Sequence, residues 1–312
     1  MGPWGSIFTR PMDGGRTLLL KEIAPRKKMN KKYPGPLVSA NWLHEHLEDS
    51  DICVVDASVH LPDTGRDAKQ EYLSEHIPNA IFFDLSDIAD PSNPLPRKVP
   101  AENRFCEKVG ELGIDNTTHV VAYDTPGLYS AARVWWLFKL YGYDNVSILD
   151  GGMANWKLSG LSVTDKIIKR PSKKFEAGKR RDVLALSQEV LLASSEGKQI
   201  LDARTPGRFA GTELDRYPGA RPGHIPGSTN LYWGDLLDKE SRTMFPEEQL
   251  KEIFTHTQLD LDQPTILTCG SGLTACILAL GLSKIGKHNW SVYDGSWDEW
   301  GRNHDLPVEC SD

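Results

Sequence analysis

A cysteine at the end of an apolar segment is the residue of this sequence best placed to act as a nucleophile. The stretch TILT, residues 265–268, is typical of a buried β-strand, and Cys269 follows it directly. Two glycines, Gly270 and Gly272, come next, and the helical stretch ACILALGLSKIG begins at residue 275. Glycines permit a tight turn that directs successive backbone N–H groups at the sulfur, with the positive end of the helix behind them. Such a loop stabilises a thiolate, and a persulfide formed from it would be held by the same donors.

The cysteine pattern argues against a disulfide framework and against a zinc site. The sequence contains 5 cysteines, widely separated and without a Cys-x-x-Cys pair. Cys53 and Cys276 fall within apolar segments and are expected in the core. The loop expected to cradle the Cys269 sulfur consists of Gly270, Ser271, Gly272, Leu273, Thr274 and Ala275.

Four sequence blocks of the first half recur in the second half in the same order. The blocks ICVVDASV, EHIPNAIFFDL, HVVAYDTPGLYSAARVWWL and VSILDGGMANW correspond to QILDART, GHIPGSTNLYWGDL, TILTCGSGLTACILAL and WSVYDGSWDEW. Four matches in order indicate two copies of one domain. Apolar runs alternate with helical stretches in each copy, which predicts an α/β fold of two tandem domains, each a mainly parallel sheet flanked by helices.

These repeats also set the predicted domain boundaries. Residues 34–163 form the first domain, 164–182 a basic linker expected to be solvated, and 183–312 the second domain with Cys269. Residues 1–33 form a basic tail that is either disordered or a targeting segment.

Some polar residues occur in both copies. Asp56 and Asp202 end corresponding strands, and His76 and His224 belong to corresponding His-Ile-Pro motifs. Because both copies keep these residues while only one copy has the cysteine, structural roles such as turn capping are favoured over catalysis.

The overall composition narrows the range of partners. The formal net charge is −7, which does not favour nucleic acid as a partner. The longest apolar runs fall short of the ~20 residues of a membrane span, so a soluble cytoplasmic or mitochondrial protein is expected. The tripeptide Gly-Lys-Ser/Thr does not follow CGSG, so this loop does not predict a phosphate site, and no metal or nucleotide cofactor is expected.

The tandem halves, DGSWDEW and above all CGSGLTAC resemble the rhodanese superfamily, and within it the 3-mercaptopyruvate sulfurtransferases, from about residue 36 onward. The resemblance implies an inactive first domain, with Asp124 at the position of the cysteine, and an active second domain. Cys269 would take the sulfane sulfur of 3-mercaptopyruvate, release pyruvate, and pass the sulfur to a thiol acceptor such as thioredoxin.

The resemblance also implies substrate-binding residues. Arg208 matches a substrate arginine of the family, and Tyr129 matches a tyrosine that reaches the substrate from the first domain. Arg216 corresponds to the second substrate arginine if one residue is deleted, with Arg221 as its rival. Guanidinium groups suit a carboxylate donor. Surface ion pairs with Glu213 or Asp215 are the alternative role for these arginines.

The residues that follow Cys269 distinguish the related activities of the superfamily. Thiosulfate-preferring rhodaneses carry basic residues directly after the cysteine, whereas Gly270 and Ser271 are neutral, so mercaptopyruvate is the favoured donor. Related phosphatases close a longer loop with an arginine that binds phosphate, and Ala275 stands at the corresponding position here.

One part of the family pattern is missing. Mercaptopyruvate sulfurtransferases pair the loop serine with an acid and a histidine, in a pattern like Phe-Asp-x-acid followed by Pro-x-x-His-Met-Leu-Pro. The stretch FFDLSDIADPSNPLPRKVP has Ser86 and Arg97 at those two positions. Ser271 remains as a hydrogen-bond donor to the sulfur or keto group, without an evident base. Three hypotheses follow. The thiolate, the loop N–H groups and the arginines, with Arg97 adding charge, suffice for mercaptopyruvate; or Arg97 shifts the donor to thiosulfate; or the chain is a non-catalytic binding or persulfide-carrying module.

Overall fold

Two parallel β-sheets, one in each half of the chain, organise the protein. The computed structural model describes residues 33–61, 64–178 and 181–311. Each sheet has five strands, and all eight pairs of neighbouring strands are parallel. The predicted α/β fold with two tandem domains is therefore confirmed. All of the basic tail except Tyr33 lies outside the described residues.

The first sheet has the strand order β1-β5-β4-β2-β3. Its strands and the surrounding helices are β1 Leu37–Val38, α1 Ala40–Glu45, β2 Ile52–Asp56, α2 Ala68–Ser74, β3 Ile81–Phe82, α3 Leu85–Ile88, α4 Glu102–Glu111, β4 His119–Tyr123, α5 Ala131–Leu140, β5 Val146–Leu149 and α6 Gly152–Leu158. Every residue of β2 and β4 is buried, as expected for parallel strands covered on both faces.

The second sheet repeats this order as β6-β10-β9-β7-β8. Its elements are β6 Leu184–Ala185, α7 Ser187–Ser195, β7 Gln199–Asp202, α8 Pro206–Ala210, β8 Thr229–Asn230, α9 Glu247–His256, β9 Thr265–Thr268, α10 Ala275–Lys284, β10 Trp290–Tyr293 and α11 Ser296–Trp300, with 3₁₀ turns at Arg181–Val183 and Trp233–Leu236. The central strands β4 and β9 correspond, so Asp124 and Cys269 leave the two sheets at equivalent points.

The two domains share one hydrophobic core. Helix α5 packs against α10, and all of its residues except Lys139 are buried. The rings of Trp135 and Trp290 lie 5.9 Å apart across this contact. Cys53 and Cys276 are also fully buried in this core, as predicted. Within the described part of the chain, no helix has the length and apolarity that crossing a membrane requires.

The segment that connects the domains packs along the first of them. Phe175 is only 3% exposed and lies against Phe105, Phe138 and Tyr143. The backbone N–H groups of residues 173 and 178 bond to carbonyl groups of the first domain. The exposed residues of this segment agree with the predicted solvated linker. The pattern of basic residues gave no signal for its one buried aromatic anchor, Phe175.

The repeated aspartates and histidines have structural roles. Asp56 and Asp202 each accept the backbone N–H two residues later, at 2.9 Å in both domains. His76 and His224 are buried, and the Nδ1 atom of each lies 2.6 or 2.8 Å from a backbone carbonyl oxygen. The aspartate bonds fix the turns after corresponding strands, and the histidine bonds hold the two His-Ile-Pro motifs against helices α2 and α8, as the repetition indicated.

The packing of the connecting segment predicts unequal effects of two substitutions within it. Phe175→Ala should lower the free energy of unfolding by about 3–5 kcal/mol, because it leaves a cavity among three aromatic rings. Ile167→Ala is the control: this side chain is 50% exposed, and its loss should change the free energy by less than about 0.5 kcal/mol. Urea denaturation measures both, and equal effects would contradict the packed arrangement.

Candidate functional site

Cys269 lies at the carboxyl end of β9, where ligands bind in open parallel sheets. Its side chain is 1% exposed. The N–H of Gly272, a residue at φ +84°, donates to the Cys269 Sγ over 3.1 Å. Ser296 Oγ, at the start of α11, lies 3.9 Å from the same sulfur and accepts the Cys269 N–H at 3.2 Å. The tight turn expected from the glycines therefore brings one backbone N–H onto the sulfur, where the sequence predicted successive N–H groups.

Each carbonyl group of residues 269–272 accepts a hydrogen bond from outside the loop. The carbonyl of Cys269 accepts from the Trp297 N–H at 2.9 Å, and that of Gly270 accepts from the Asp298 N–H at 2.8 Å. The carbonyl of Ser271 accepts from Lys98 Nζ at 3.0 Å, and that of Gly272 accepts from Arg133 Nη1 at 3.3 Å. The first two donors belong to α11, in the repeated block DGSWDEW, and the last two to the first domain. The conformation of the loop is thus fixed by both domains.

The first domain contains the same kind of loop, filled by a carboxylate. The carboxylate of Asp124 accepts the N–H groups of Gly127, Ser130 and Ala131 at 2.6, 2.6 and 2.8 Å. Burial raises the pKa of Asp124, and these three N–H bonds oppose that rise. The loop therefore presents backbone donors to its first residue in both domains, three N–H groups to Asp124 and one to Cys269, but a carboxylate cannot carry sulfur.

Two short segments cross between the domains in a reciprocal way. In segment 97–99, the N–H of Val99 donates to Asp294 of the second domain over 2.9 Å. In segment 242–244, the N–H of Met244 donates to Asp150 of the first domain over 2.8 Å. The arginines that begin the segments adopt the left-handed region, at φ 58° and 60°. This exchange places segment 97–99 beside the Cys269 loop.

The predicted substrate residues gather around Tyr129. Burial is the main cause that raises the pKa of Tyr129, and the charge of Cys269 raises it further. The charges of Arg97, Arg216 and Arg208 lower the same pKa, in that order. The pKa of Tyr129 is thus shifted by the cysteine and by all three arginines, so the structure brings together the residues that the sequence selected.

The structure distinguishes Arg216 from its rival Arg221. The guanidinium group of Arg221 is bound to carbonyl groups at the end of α11 and in the turn after it. Its Nε donates to Gly301, and its Nη2 lies within hydrogen-bond distance of Trp300, Asn303 and Leu306. Arg216 lies close enough to Tyr129 to influence its pKa. Arg221 therefore holds the backbone, which favours Arg216 as the second substrate arginine.

Arg208 and Arg97, like Arg133, each have a buried guanidinium donor without a partner in the described part of the chain. In each of these arginines the unpaired donor is the Nε atom. The two acids considered as surface partners are engaged elsewhere, since Asp215 pairs with Arg204 at 2.8 Å and the carboxylate of Glu213 accepts from Thr205. A buried donor without a partner is costly, so a bound anion is the natural complement of both arginines.

Tyr217 is a site residue that sequence reasoning missed. Its hydroxyl lies above the loop, since a methyl group on Gly270 would come within 2.4 Å of it. Burial raises the pKa of Tyr217 well above the ordinary value, and Ser271 lies close enough to oppose that rise. The only signal in the sequence is its position directly after Arg216. Ser271 therefore lies beside a neutral phenol.

The missing relay is visible in the structure as well. Ser86 is exposed in the first turn of α3, where its N–H bonds to the capping Asp84 carboxylate at 2.9 Å. Arg97 occupies the position of the histidine in the family pattern. Neither residue supplies a base to Ser271, as the sequence predicted.

Known proteins share this arrangement over most of the chain. The rhodanese-like domain family matches residues 39–159 and 187–303. A relative from Arabidopsis thaliana, "Thiosulfate/3-mercaptopyruvate sulfurtransferase 1, mitochondrial", is 40% identical over 88% of this chain and 78% of its own length. The 3-mercaptopyruvate sulfurtransferase of Homo sapiens is 40% identical over 85% of this chain and 91% of its own. The crystal structure of SseA from Escherichia coli, a 3-mercaptopyruvate sulfotransferase, aligns with a TM-score of 0.77 and 36% identity over 85% of this chain and 99% of that one.

The glycine turn predicts how the reactivity of Cys269 depends on the loop. Gly272→Ala would place a methyl group 2.7 Å from the Asp294 carbonyl oxygen, so the Gly272 N–H must move off the sulfur. Alkylation of Cys269 by iodoacetamide at neutral pH should slow at least about tenfold. Gly286→Ala is the control, since this glycine also has positive φ, at +78°, but has nothing within 4 Å. It should cost about 1–2 kcal/mol of stability and leave the alkylation rate unchanged; equal slowing in both variants would contradict this role of Gly272.

Proposed function

This chain belongs to the rhodanese-like family, and on that basis we propose that it is a sulfurtransferase that uses 3-mercaptopyruvate as donor. The observation that carries the proposal is a buried cysteine whose sulfur accepts a backbone N–H beside arginines with unpaired donors. A nucleophile in an anion-stabilising cradle fits sulfur transfer, and the adjacent cations fit a carboxylate substrate.

The donor carboxylate would bind to the arginines. Arg208 and Arg216 supply guanidinium forks, and the buried Nε of Arg208 needs a partner. Tyr129 and Tyr217 flank the same space and have raised pKa values, chiefly because of burial. Both phenols therefore keep their protons and can donate hydrogen bonds to the keto group of the donor.

Sulfur transfer then proceeds in two displacements. The Cys269 thiolate attacks the donor sulfur, a bond forms between the two sulfur atoms, and the carbon–sulfur bond breaks. Its electron pair remains on the carbon fragment, the enolate of pyruvate, which takes a proton from solvent. The donor's thiol proton stays with the new persulfide, which the Gly272 N–H and the loop can hold as they hold the thiolate.

A thiol acceptor completes the cycle. Its thiolate attacks the outer sulfur of the persulfide, takes that sulfur, and restores the Cys269 thiolate. A second thiol on the acceptor can then release hydrosulfide and form a disulfide, so a dithiol protein such as thioredoxin fits this role. This partner, like a cytoplasmic or mitochondrial location, stays a prediction.

The missing histidine and acid do not prevent this scheme. Proton relays of this kind contribute about 10²–10⁴ in rate, whereas the nucleophile and the bound carboxylate are intact here. Ser271, which lies beside Tyr217, can donate a hydrogen bond in the site. We therefore expect turnover to be slower than in sulfurtransferases that have the histidine and the acid. A purely binding or persulfide-carrying module is disfavoured because it has no need of the donor arginines.

Thiosulfate transfer is the second candidate function, and Arg97 favours it. Arg97 adds a third cation beside Tyr129, and its buried Nε is unpaired. A dianionic donor would gain from this extra charge. The neutral loop residues Gly270 and Ser271 favour mercaptopyruvate instead.

Steady-state kinetics with the two donors test the proposal. We expect kcat/KM for pyruvate release from 3-mercaptopyruvate, with a reducing thiol, to exceed that for thiosulfate with cyanide at least about tenfold. Cys269→Ser should abolish both reactions because it removes the nucleophile. The exposed Cys310→Ser variant is the control and should match the parent protein. A preference for thiosulfate would establish the second candidate, and inactivity with both donors would refute the enzymatic role.

A further inference from the structure

Lys98 is a buried cation of the first domain that lies beneath the cysteine loop of the second domain. Lys98 is only 3% exposed. Its Nζ donates to the carbonyl oxygen of Ser271 at 3.0 Å and to that of Asp294 at 2.7 Å. Among the described residues, no carboxylate lies within ion-pair distance of this ammonium group. Lysines are rarely buried on such terms, because desolvating the charge is costly.

The bond from Lys98 reaches the sulfur through a single peptide group. The carbonyl of Ser271 and the N–H of Gly272 are the two ends of the peptide bond between these residues. Lys98 binds the oxygen end, and the hydrogen end donates to Cys269 Sγ over 3.1 Å. In a planar trans peptide the C=O and N–H point in opposite directions, so fixing the oxygen also aims the hydrogen. A positive charge on the oxygen polarises the group and makes its N–H a stronger donor.

Arg133 supports the next peptide group in the same way. It is fully buried, its Nη1 donates to the Gly272 carbonyl at 3.3 Å, and its Nη2 pairs with Asp294 at 2.5 Å. Two cations of the first domain thus hold two consecutive carbonyls of the loop. Lys98 is the more informative of the two, since the family pattern Pro-x-x-His-Met-Leu-Pro has methionine at its position.

We propose that Lys98 is a positioning residue for Cys269, which aims and polarises the Gly272 N–H and thereby stabilises negative charge on the sulfur. The inference rests on the proposed function only in assigning the sulfur chemistry to Cys269. In this chain it gives the first domain an electrostatic role in the second, at the place where the family histidine and its neighbour are replaced.

The charges around Lys98 agree with this role. Burial is the main cause that lowers the pKa of Lys98, and the charge of Arg133 lowers it as well. Asp294, Asp298 and Cys269 raise it. The interaction between Lys98 and Cys269 is mutual, so a cation that is stabilised by the sulfur anion also stabilises that anion.

The test compares three substitutions in the full chain. Lys98→Met removes the charge and both hydrogen bonds, and Lys98→Arg restores a cation. Lys284→Met is the matched control, because Lys284 Nζ donates to the Met244 carbonyl at 3.1 Å in the reciprocal segment, away from the cysteine. The first readout is the rate of Cys269 alkylation by iodoacetamide from pH about 5 to about 9, followed by peptide mass spectrometry. The others are kcat and KM for 3-mercaptopyruvate and thermal unfolding.

We expect Lys98→Met to slow alkylation about tenfold at the acidic end of the range, to shift the pH at half-maximal rate upward, and to lower kcat more than it raises KM. Lys98→Arg should recover most of the rate, and Lys284→Met should alkylate like the parent protein. If Lys98→Met is unstable, Lys98→Gln replaces it with the same expectation.

The proposal is overturned if folded Lys98→Met or Lys98→Gln alkylates within about twofold of the parent across the pH range, whatever its thermal stability. It is also overturned if Lys284→Met slows alkylation equally. Alkylation needs no sulfur donor. A protein inactive with both donors would therefore refute the proposed function while the role of Lys98 was still decided by this experiment.

Discussion

A negatively charged sulfur in a nearly inaccessible site needs hydrogen-bond donors at close range, because burial without them would favour the neutral thiol. The loop 269–272 meets this need by turning an N–H onto the sulfur and sending every carbonyl to an external donor. The rest of the site depends on this division, since a peptide group cannot present its N–H and its oxygen to the same place. This division of directions explains why a glycine stands at position 272 and why α11 begins beside the loop.

The second domain alone does not complete this arrangement. Lys98 and Arg133 of the first domain bind two of the four carbonyls, and Tyr129 of the same domain lies close enough to Cys269 and Arg97 for their charges to shift its pKa. The first domain keeps the same loop but fills it with the Asp124 carboxylate, so its own cradle is occupied. Duplication has thus left one copy with the nucleophile and the other with supporting groups, joined by reciprocal contacts to Asp294 and Asp150.

Sequence reasoning predicts this structure where the signal is local or repeated. The fold follows from alternating apolar strands and helices in two copies, and the role of Cys269 from the strand-cysteine-glycine-helix order. Residues fixed only by distant contacts were not predictable. Phe175 lies in a basic segment. Tyr217 precedes Gly270 by 53 residues in the chain, and Lys98 precedes Ser271 by 173 residues. Arg216 and Arg221 are the same residue type in the same loop, so only the hydrogen bonds from Arg221 to carbonyl groups distinguish them.

The proposed mechanism requires Cys269 itself to carry the transferred sulfur. Peptide mass spectrometry of the protein after a brief reaction with 3-mercaptopyruvate, in the absence of an acceptor, tests this requirement. We expect a mass increase of one sulfur atom on the peptide that contains Cys269, removed by a reducing thiol and absent in Cys269→Ser. Pyruvate release without sulfur on that peptide, or with sulfur on Cys310 instead, would contradict it.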